Sequence, residues 1–504
     1  MFTEAHPGSA TLYEIMSVFR RKSLGKLLAQ AGEHAGGLKR TLTAKSLVAL
    51  GVGAIIGAGL FVRTAAASAE AAGPAVTLSF VVAAIGCVFA GLCYAEFAAM
   101  IPIAGSAYTY SYVTMGELVA WVIGWALVLE YALGAATVSI AWGEYLNKLT
   151  GGGIPYQWSH SPLEVSPTGV HGIIDLPAIF ILLILTLLLI KGTQESATVN
   201  AIIVVLKVTI VLVFIAVGWS FINHANQTPY MIPANMPGHE GIFKHGWGGV
   251  LGGAGIVFFA FIGFDAVSTA AQEARNPGRD MPIGILGSLA VCTVLYVLFG
   301  YVLTGVAPWQ DFLKAGKEAS VAYAIQTYMT GFGWLATLVT VAILLGFSSV
   351  ILVMLLGQSR VFYSMANDGL LPRLFSDVHP TFRTPYKCNM VLFLLVGSFA
   401  GFIPESMAGD LTSIGTLFAF VLVCIGVWIM RNKQPHAERP FRAPLVPLVP
   451  LLGILVCGGM IISLDRRTQM TALCWMVLGL LIYFSYGRTH SKLTVTEEEP
   501  VVKV

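Results

Sequence analysis

The chain has 504 residues, of which 56% are hydrophobic and only 11% charged, with a net charge of +3. Soluble domains carry about 25% charged residues, so this composition excludes an ordinary soluble globular protein and gives no basis for nucleic-acid binding. A polytopic membrane protein is expected, and its seven cysteines (Cys87, Cys93, Cys292, Cys388, Cys424, Cys457 and Cys474) lie in or beside apolar segments. No metal-type C-x-x-C spacing occurs among them, so they read as small buried hydrophobes rather than a disulfide framework or a metal site.

Residues 1–45 are polar, with a basic cluster at Arg20, Arg21, Lys22 and Lys26. They read as a cytoplasmic segment carrying an amphipathic surface helix over 11–34, not as a cleavable signal. Beyond them, twelve segments hold enough apolar residues to cross a bilayer, for which about 20 suffice. They are 46–70, 76–100, 118–146, 173–190, 198–222, 248–272, 283–306, 333–359, 389–403, 411–430, 446–464 and 469–486. The third and eighth are long and the ninth is short. With the N-terminus inside, the outer loops carry only Lys148, Lys244, Lys314, Lys317, Arg466 and Arg467 among the Lys and Arg residues. Nearly all the rest fall on the inner side, which fits the positive-inside rule with both termini cytoplasmic.

The first span carries Gly51, Gly53, Gly57 and Gly59. Glycine costs a helix roughly 1 kcal/mol against alanine and lets backbone approach closely. Two readings follow: tight helix packing, or a broken helix whose freed backbone lines a binding cavity. The sixth span repeats the pattern, with Gly248, Gly249, Gly252, Gly253 and Gly255 before a Phe258–Asp265 stretch. Two glycine-rich interruptions five spans apart favour broken first and sixth helices in an inverted repeat, with the site between them.

Two ionisable residues fall near mid-membrane: Glu130 in the third span and Lys207 in the fifth. Each costs a few kcal/mol to insert, so intramembrane charges mark function or a paired structural contact. A desolvated lysine gives up its proton readily, which suits a proton-coupled switch with Glu130 as partner or relay. Asp265 reads as a cap on the inner half of the sixth helix, Glu96 as facing headgroups or an inner gate, and Arg63 and Glu70 as an outer rim.

These stretches together resemble the amino acid–polyamine–organocation superfamily, and in particular bacterial members of the cationic amino acid transporter branch. The resemblance rests on Gly51–Phe61, Pro102–Tyr108, Phe261–Asp265 with Glu273–Pro282, Arg360–Tyr363 with Asp368–Pro372, and Arg439–Pro444 with Pro447 and Pro450. It covers about residues 20 to 490. It implies an all-α fold of 12 transmembrane helices: a five-plus-five inverted-repeat core over 46–430, two further helices over 431–487 and a cytoplasmic tail over 488–504. It also implies alternating access and placement in a bacterial inner membrane.

Carried over by position, the substrate carboxylate meets amides at Gly57, Ala58 and Gly59, and its ammonium meets carbonyls at Ile55, Phe259 and Ile262. Phe259 matches an occluding aromatic, and Met354 bounds the side-chain pocket. Lys207 stands where sodium-coupled relatives hold an ion, with Ser348 and Ser349 as possible neighbours. Ala58 replaces a Thr or Ser common in relatives. The family includes carriers of arginine and lysine, yet no extra acid is evident near this pocket, and Met354, Phe259 and Ile55 make it apolar. The reading is therefore proton-coupled uptake of neutral, alanine-like L-amino acids. The alternative is a cationic amino acid uniporter or exchanger. The partners implied are an amino acid, protons and membrane lipids, with no cofactor beyond the proton gradient. A channel is disfavoured because the intramembrane charges are scattered rather than ringed. An enzyme is disfavoured because no H-E-x-x-H or G-x-S-x-G motif is evident.

Overall fold

The computed structural model describes residues 20–23, 25, 42–102, 106–191, 197–271, 274–313, 320–382 and 384–493. Most of the basic segment 11–34, residues 103–105, Glu273 and the tail beyond 493 lie outside these. The longer helices are α1 (Ala44–Ile55), α2 (Gly59–Met100), α3 (Ser106–Thr114), α4 (Glu117–Leu149), α5 (Leu176–Lys191), α6 (Ala197–Gly218) and α7 (Gly246–Val257). They continue with a short α8 (Ala266–Thr269), α9 (Pro277–Val306), α10 (Ser320–Tyr328), α11 (Gly333–Asn367), α12 (Tyr386–Phe402), α13 (Glu405–Lys433), α14 (Leu448–Ser463) and α15 (Arg466–His490). Among the described residues, eight helical runs are long and apolar enough to cross a membrane, and α1, α5, α12 and α14 are shorter apolar helices.

The first expected span is split. Helix α1 starts at Thr43, whose side chain accepts the Ser46 amide at 3.3 Å, and stops at Ile55. Ile56 turns extended (ψ 108°), and helix resumes by Gly59. Gly51 and Gly53 stay inside α1. The resumed helix carries on for 42 residues, about twice what one crossing needs, and Gly73 (φ +60°) turns the chain between the two expected spans. Helix α11 also runs past its expected end at 359 to Asn367.

The sixth span departs from expectation in one respect. Its glycines do not form the break. Helix α7 holds them in regular geometry through Val257, and the interruption follows over 258–265. The glycines serve packing instead. A Cβ on Gly249 would fall 2.2 Å from the Ala71 carbonyl oxygen, and one on Gly253 would fall 2.6 Å from the Ser79 hydroxyl. Helix α7 thus lies backbone to backbone against α2.

Aromatic packing fixes the second break from the other side. Phe420 of α13 meets Phe258 and Phe264 with centroids 5.6 and 4.8 Å apart, and Tyr94 of α2 at 5.4 Å. The last helix is docked by tryptophans: Trp121 and Trp125 of α4 donate to the carbonyls of Gly479 and Trp475 at 2.9 and 2.8 Å. At the same end, Glu117 accepts from Tyr112 and Tyr483, and Arg20 donates to the Leu493 carbonyl at 2.9 Å. The described segments near the two chain ends therefore meet at one end of the bundle. The outer surface is apolar, with Val205, Leu298, Leu394 and Leu481 exposed as lipid-facing residues are.

Gly249→Ala is expected to cost about 1–3 kcal/mol, the usual range for overpacking. The measurement is the melting temperature of the detergent-solubilised protein. Gly458→Ala, where a Cβ meets nothing within 4 Å, should leave that temperature unchanged or slightly raised.

Candidate functional site

The two helix breaks touch. A Cβ on Gly59 would fall 2.2 Å from Ala260 Cα, and one on Gly263 (φ +112°) 2.9 Å from the Ala54 carbonyl oxygen. Only glycine permits this approach, and at Gly263 only glycine adopts the backbone freely. Tyr296 of α9 joins the two breaks: its Oη lies 3.1 Å from the Ile55 carbonyl oxygen and 2.9 Å from that of Ala260. Its single proton can be donated to either oxygen.

The amides of Gly57, Ala58 and Gly59 stand at the start of a helix, where N–H groups lack intrahelical partners and the dipole is positive. The carbonyl end of α1 and the extended Ile262 (ψ 137°) of the second break supply acceptors close by. Donors for an anion and acceptors for a cation, side by side and water-poor, suit the two poles of a zwitterion. Ile55, Gly57, Ala58, Gly59, Phe259, Ile262 and Met354 are all buried, so the site is closed on every side. Val350 of α11 packs on Gly57, at 3.1 Å from where its Cβ would be. One turn further along α11, Met354 Sδ reaches within 3.6 Å of the same point on Gly134 of α4, and Thr412 of α13 within 3.5 Å. The two breaks and the Val350 turn of α11 are thus brought together, while Met354 meets α4 at Gly134.

Lys207 is 2% exposed, and its Nζ donates to the Gly53 carbonyl at 2.9 Å. Gly346 makes room for its stem: a Cβ there would fall 3.0 Å from Lys207 Cε. A seam too narrow for a water molecule runs past Lys207, Ile56, Gly57, Phe61 and Phe347. Its α11 lining is Ala342, Ile343, Gly346 and Phe347, and neither Ser348 nor Ser349 is part of it. The Ser348 hydroxyl donates back to Leu344 of its own helix at 2.9 Å.

Glu130 is fully buried in a widened turn of α4. Its carboxyl lies beside Asp265 and near Thr416. Tyr131 donates to Asp265 Oδ2 at 2.8 Å. Asp265 holds the N-cap position of α8 without a side-chain capping bond, so the expected cap is not formed; its carboxyl lies beside Glu130 instead.

One charged residue departs from its expected place. Arg63 is no rim residue. It is 1% exposed and paired with Glu405 at 3.4 Å and with Asp410, both on α13. Of the two places expected for Glu96, burial rules out the headgroups and leaves the inner gate. It accepts from Arg431 and the Ala443 amide and pairs with Arg439 at 3.2 Å. Sequence reasoning missed Tyr296 and Tyr131; a tyrosine in an apolar run carries no distinguishing signal.

A chain with two interrupted helices in contact, each presenting backbone to a closed site, is the arrangement of an amino acid carrier. The profile of a family described as amino acid permease matches residues 42–484. The chain belongs to the amino acid permease family of the amino acid–polyamine–organocation superfamily. The permease is similar to branched-chain amino acid permease BcaP of Bacillus subtilis (strain 168), with 44% identity over 484 residues, covering 95% of this chain and 99% of the relative. It is similar to the methylthioribose transporter of the same organism, with 40% identity over 481 residues and coverage of 95% and 99%. It also resembles the vacuolar cationic amino acid transporter 2 of Arabidopsis thaliana, at 35% identity over 459 residues, covering 90% of this chain and 69% of the relative. The family makes the permease a multi-pass membrane transporter and not an enzyme.

Tyr296→Phe removes the donor that joins the Ile55 and Ala260 carbonyls. Leaving buried acceptors unsatisfied costs about 1–3 kcal/mol. The expected outcome is a lower melting temperature together with a larger proportional fall in substrate uptake, measured on the same preparation in proteoliposomes.

Proposed function

We propose that the permease drives uptake of neutral L-amino acids, branched-chain and alanine-like, with protons by alternating access. In this reading twelve crossings form a five-plus-five inverted-repeat core and two outer helices, in a bacterial inner membrane with both termini cytoplasmic. The observation that carries it is the buried Lys207 ammonium on the Gly53 carbonyl, 2.9 Å apart, at the end of the broken α1.

Magnitudes explain why this contact can switch. A charged side chain at mid-membrane costs about 2.5–3.5 kcal/mol on insertion scales. A hydrogen bond to a charged group returns about 1.5–3 kcal/mol. The two nearly cancel, so a shift of α1 by an ångström or two decides whether Lys207 keeps its proton. When α1 swings away, the ammonium loses its acceptor and the desolvated amine releases the proton. The Glu130–Asp265 pair spans α4 and the second break, and serves as a separate proton relay. A zwitterionic substrate places its carboxylate on the Gly57–Gly59 amides and its ammonium on the Ile55, Phe259 and Ile262 carbonyls. Phe259 covers it, and Met354 with Gly134 bounds an apolar side-chain pocket. The family resemblance, the apolar lining and the similarity to branched-chain permeases support this reading.

A second reading is a carrier of cationic amino acids, favoured by the 35% identity to a plant cationic transporter. Uptake of labelled L-leucine, L-alanine and L-arginine into sodium-free proteoliposomes, with and without an inward proton gradient, separates the two. Leucine or alanine accumulation that collapses with a protonophore is the expected result. Arginine uptake indifferent to the gradient would replace it with the cationic reading.

Lys207→Ala is expected to abolish accumulation driven by the pH gradient; full accumulation in this variant would remove Lys207 from coupling. Met354→Ser should enlarge and hydrate the pocket. Competition assays should then rank longer or basic side chains higher against alanine, and an unchanged ranking would place Met354 outside the pocket.

A further inference from the structure

At the end of the bundle that carries most of the basic residues, the first turns of α9 and the loop after α13 enclose a groove. Gly278, Arg279, Pro282, Ile283, Leu286 and Gly287 form one wall, Pro440 and Phe441 the other, around a cavity of about 510 Å³. That volume falls within the roughly 300–1,000 Å³ of small-molecule sites. The walls are apolar except for Arg279. The groove opens onto the lipid-facing surface, where Ile283 is 41% exposed.

The loop wall is rigid for a reason remote from the groove. Pro440 and Phe441 lie between two residues clamped by buried Glu96: Arg439, whose Nε is 3.2 Å from Glu96 Oε1, and Ala443, whose amide donates to Oε2 at 2.8 Å. Arg439 also donates to the carbonyls of Gln434 and Ala437 at 2.7 and 2.8 Å. The opposite wall is held close because Gly278 lacks a Cβ; one there would fall 2.6 Å from Pro440 Cβ. The groove is therefore preformed.

Arg279 is exposed on the groove wall, and Arg275 and Arg442, close in sequence to its two walls, are exposed as well. The nearby acids are mostly engaged: Glu96 is buried with its arginines, and Asp280 is buried and accepts the Asn276 amide at 3.1 Å. Glu438 remains exposed, leaving the rim net positive among the described residues.

We infer that this groove binds an anionic phospholipid of the membrane leaflet at that end, its acyl chain along Pro282, Ile283, Leu286 and Phe441 and its phosphate on Arg279. The charge complementarity selects this occupant. Arginine in the interfacial region attracts anionic headgroups and bonds phosphate oxygens with its planar fork, and a neutral lipid or sterol has no use for three arginines. Bound there, the lipid bridges α9 to the Glu96-clamped loop.

The test is native mass spectrometry of the full chain in detergent, titrated with phosphatidylglycerol or with phosphatidylcholine of the same acyl chains. The wild type should retain one phosphatidylglycerol at least about fivefold more tightly than phosphatidylcholine, the scale of one interfacial arginine. Arg279→Gln, an exposed substitution, should erase that preference, and Ile283→Trp, which fills the groove, should weaken binding of both lipids. Equal binding of the two lipids by the wild type overturns the inference. So does a preference that persists in Arg279→Gln, retention unchanged in Ile283→Trp, or a groove saturated by cholesterol with phosphatidylglycerol excluded.

Discussion

The contact on which the rest of this structure depends is the approach of two interrupted helices, Gly59 against Ala260 and Gly263 against Ala54. In a membrane every backbone N–H and C=O needs a partner, because lipid offers none. A single broken helix would expose such groups to hydrocarbon. Two breaks placed against each other line a protein-enclosed site instead, and Tyr296 supplies a hydroxyl to the carbonyls of both. The remaining helices act as walls. Helix α7 is held on α2 by its glycines, α13 packs on the second break through Phe420, and α11 presents Val350 and Met354 to the site.

The buried charges are distributed so that each fastens a moving part to a fixed one or to another break. Lys207 ties α6 to the end of α1. The Glu130–Asp265 pair ties α4 to the second break. Arg63 ties the resumed first helix to Glu405 and Asp410 of α13. Breaking a buried pair by moving one partner strands a charge, which costs about 3–5 kcal/mol when a partner is lost outright. In the proposed transport cycle, motion of the broken helices would be coupled to protonation or to rehydration at each of these points. That coupling is what a secondary carrier requires.

The glycines teach how two readings of one motif can both hold. Gly51 and Gly53 stay helical, and a Cβ on Gly51 would strike Ser288, so they serve packing. Gly59 serves the contact between breaks. In α7 Gly248, Gly249, Gly252, Gly253 and Gly255 serve packing, and the interruption falls on the aromatic stretch that follows. Glycine marks where backbones come close. Whether the helix also breaks depends on what it comes close to.

By itself the sequence determined the solvent, the all-helical class with long apolar helices, the presence of both interruptions and the burial of Glu130 and Lys207. Each of these follows from a local cost: apolar length, glycine in a helix, charge in hydrocarbon. It also carried enough ordered motifs to point to the amino acid permease family. What it left open is who pairs with whom. Lys207 finds its acceptor 154 residues away at Gly53, and Arg63 finds its carboxylates more than 340 residues away. Glu130 meets Asp265 rather than Lys207, and Tyr296 meets two carbonyls that no side-chain pattern announces. A buried charge states in the sequence that it needs a partner, because isolation is costly. Only tertiary packing decides which partner, because that choice rests on distances between helices the chain brings together late.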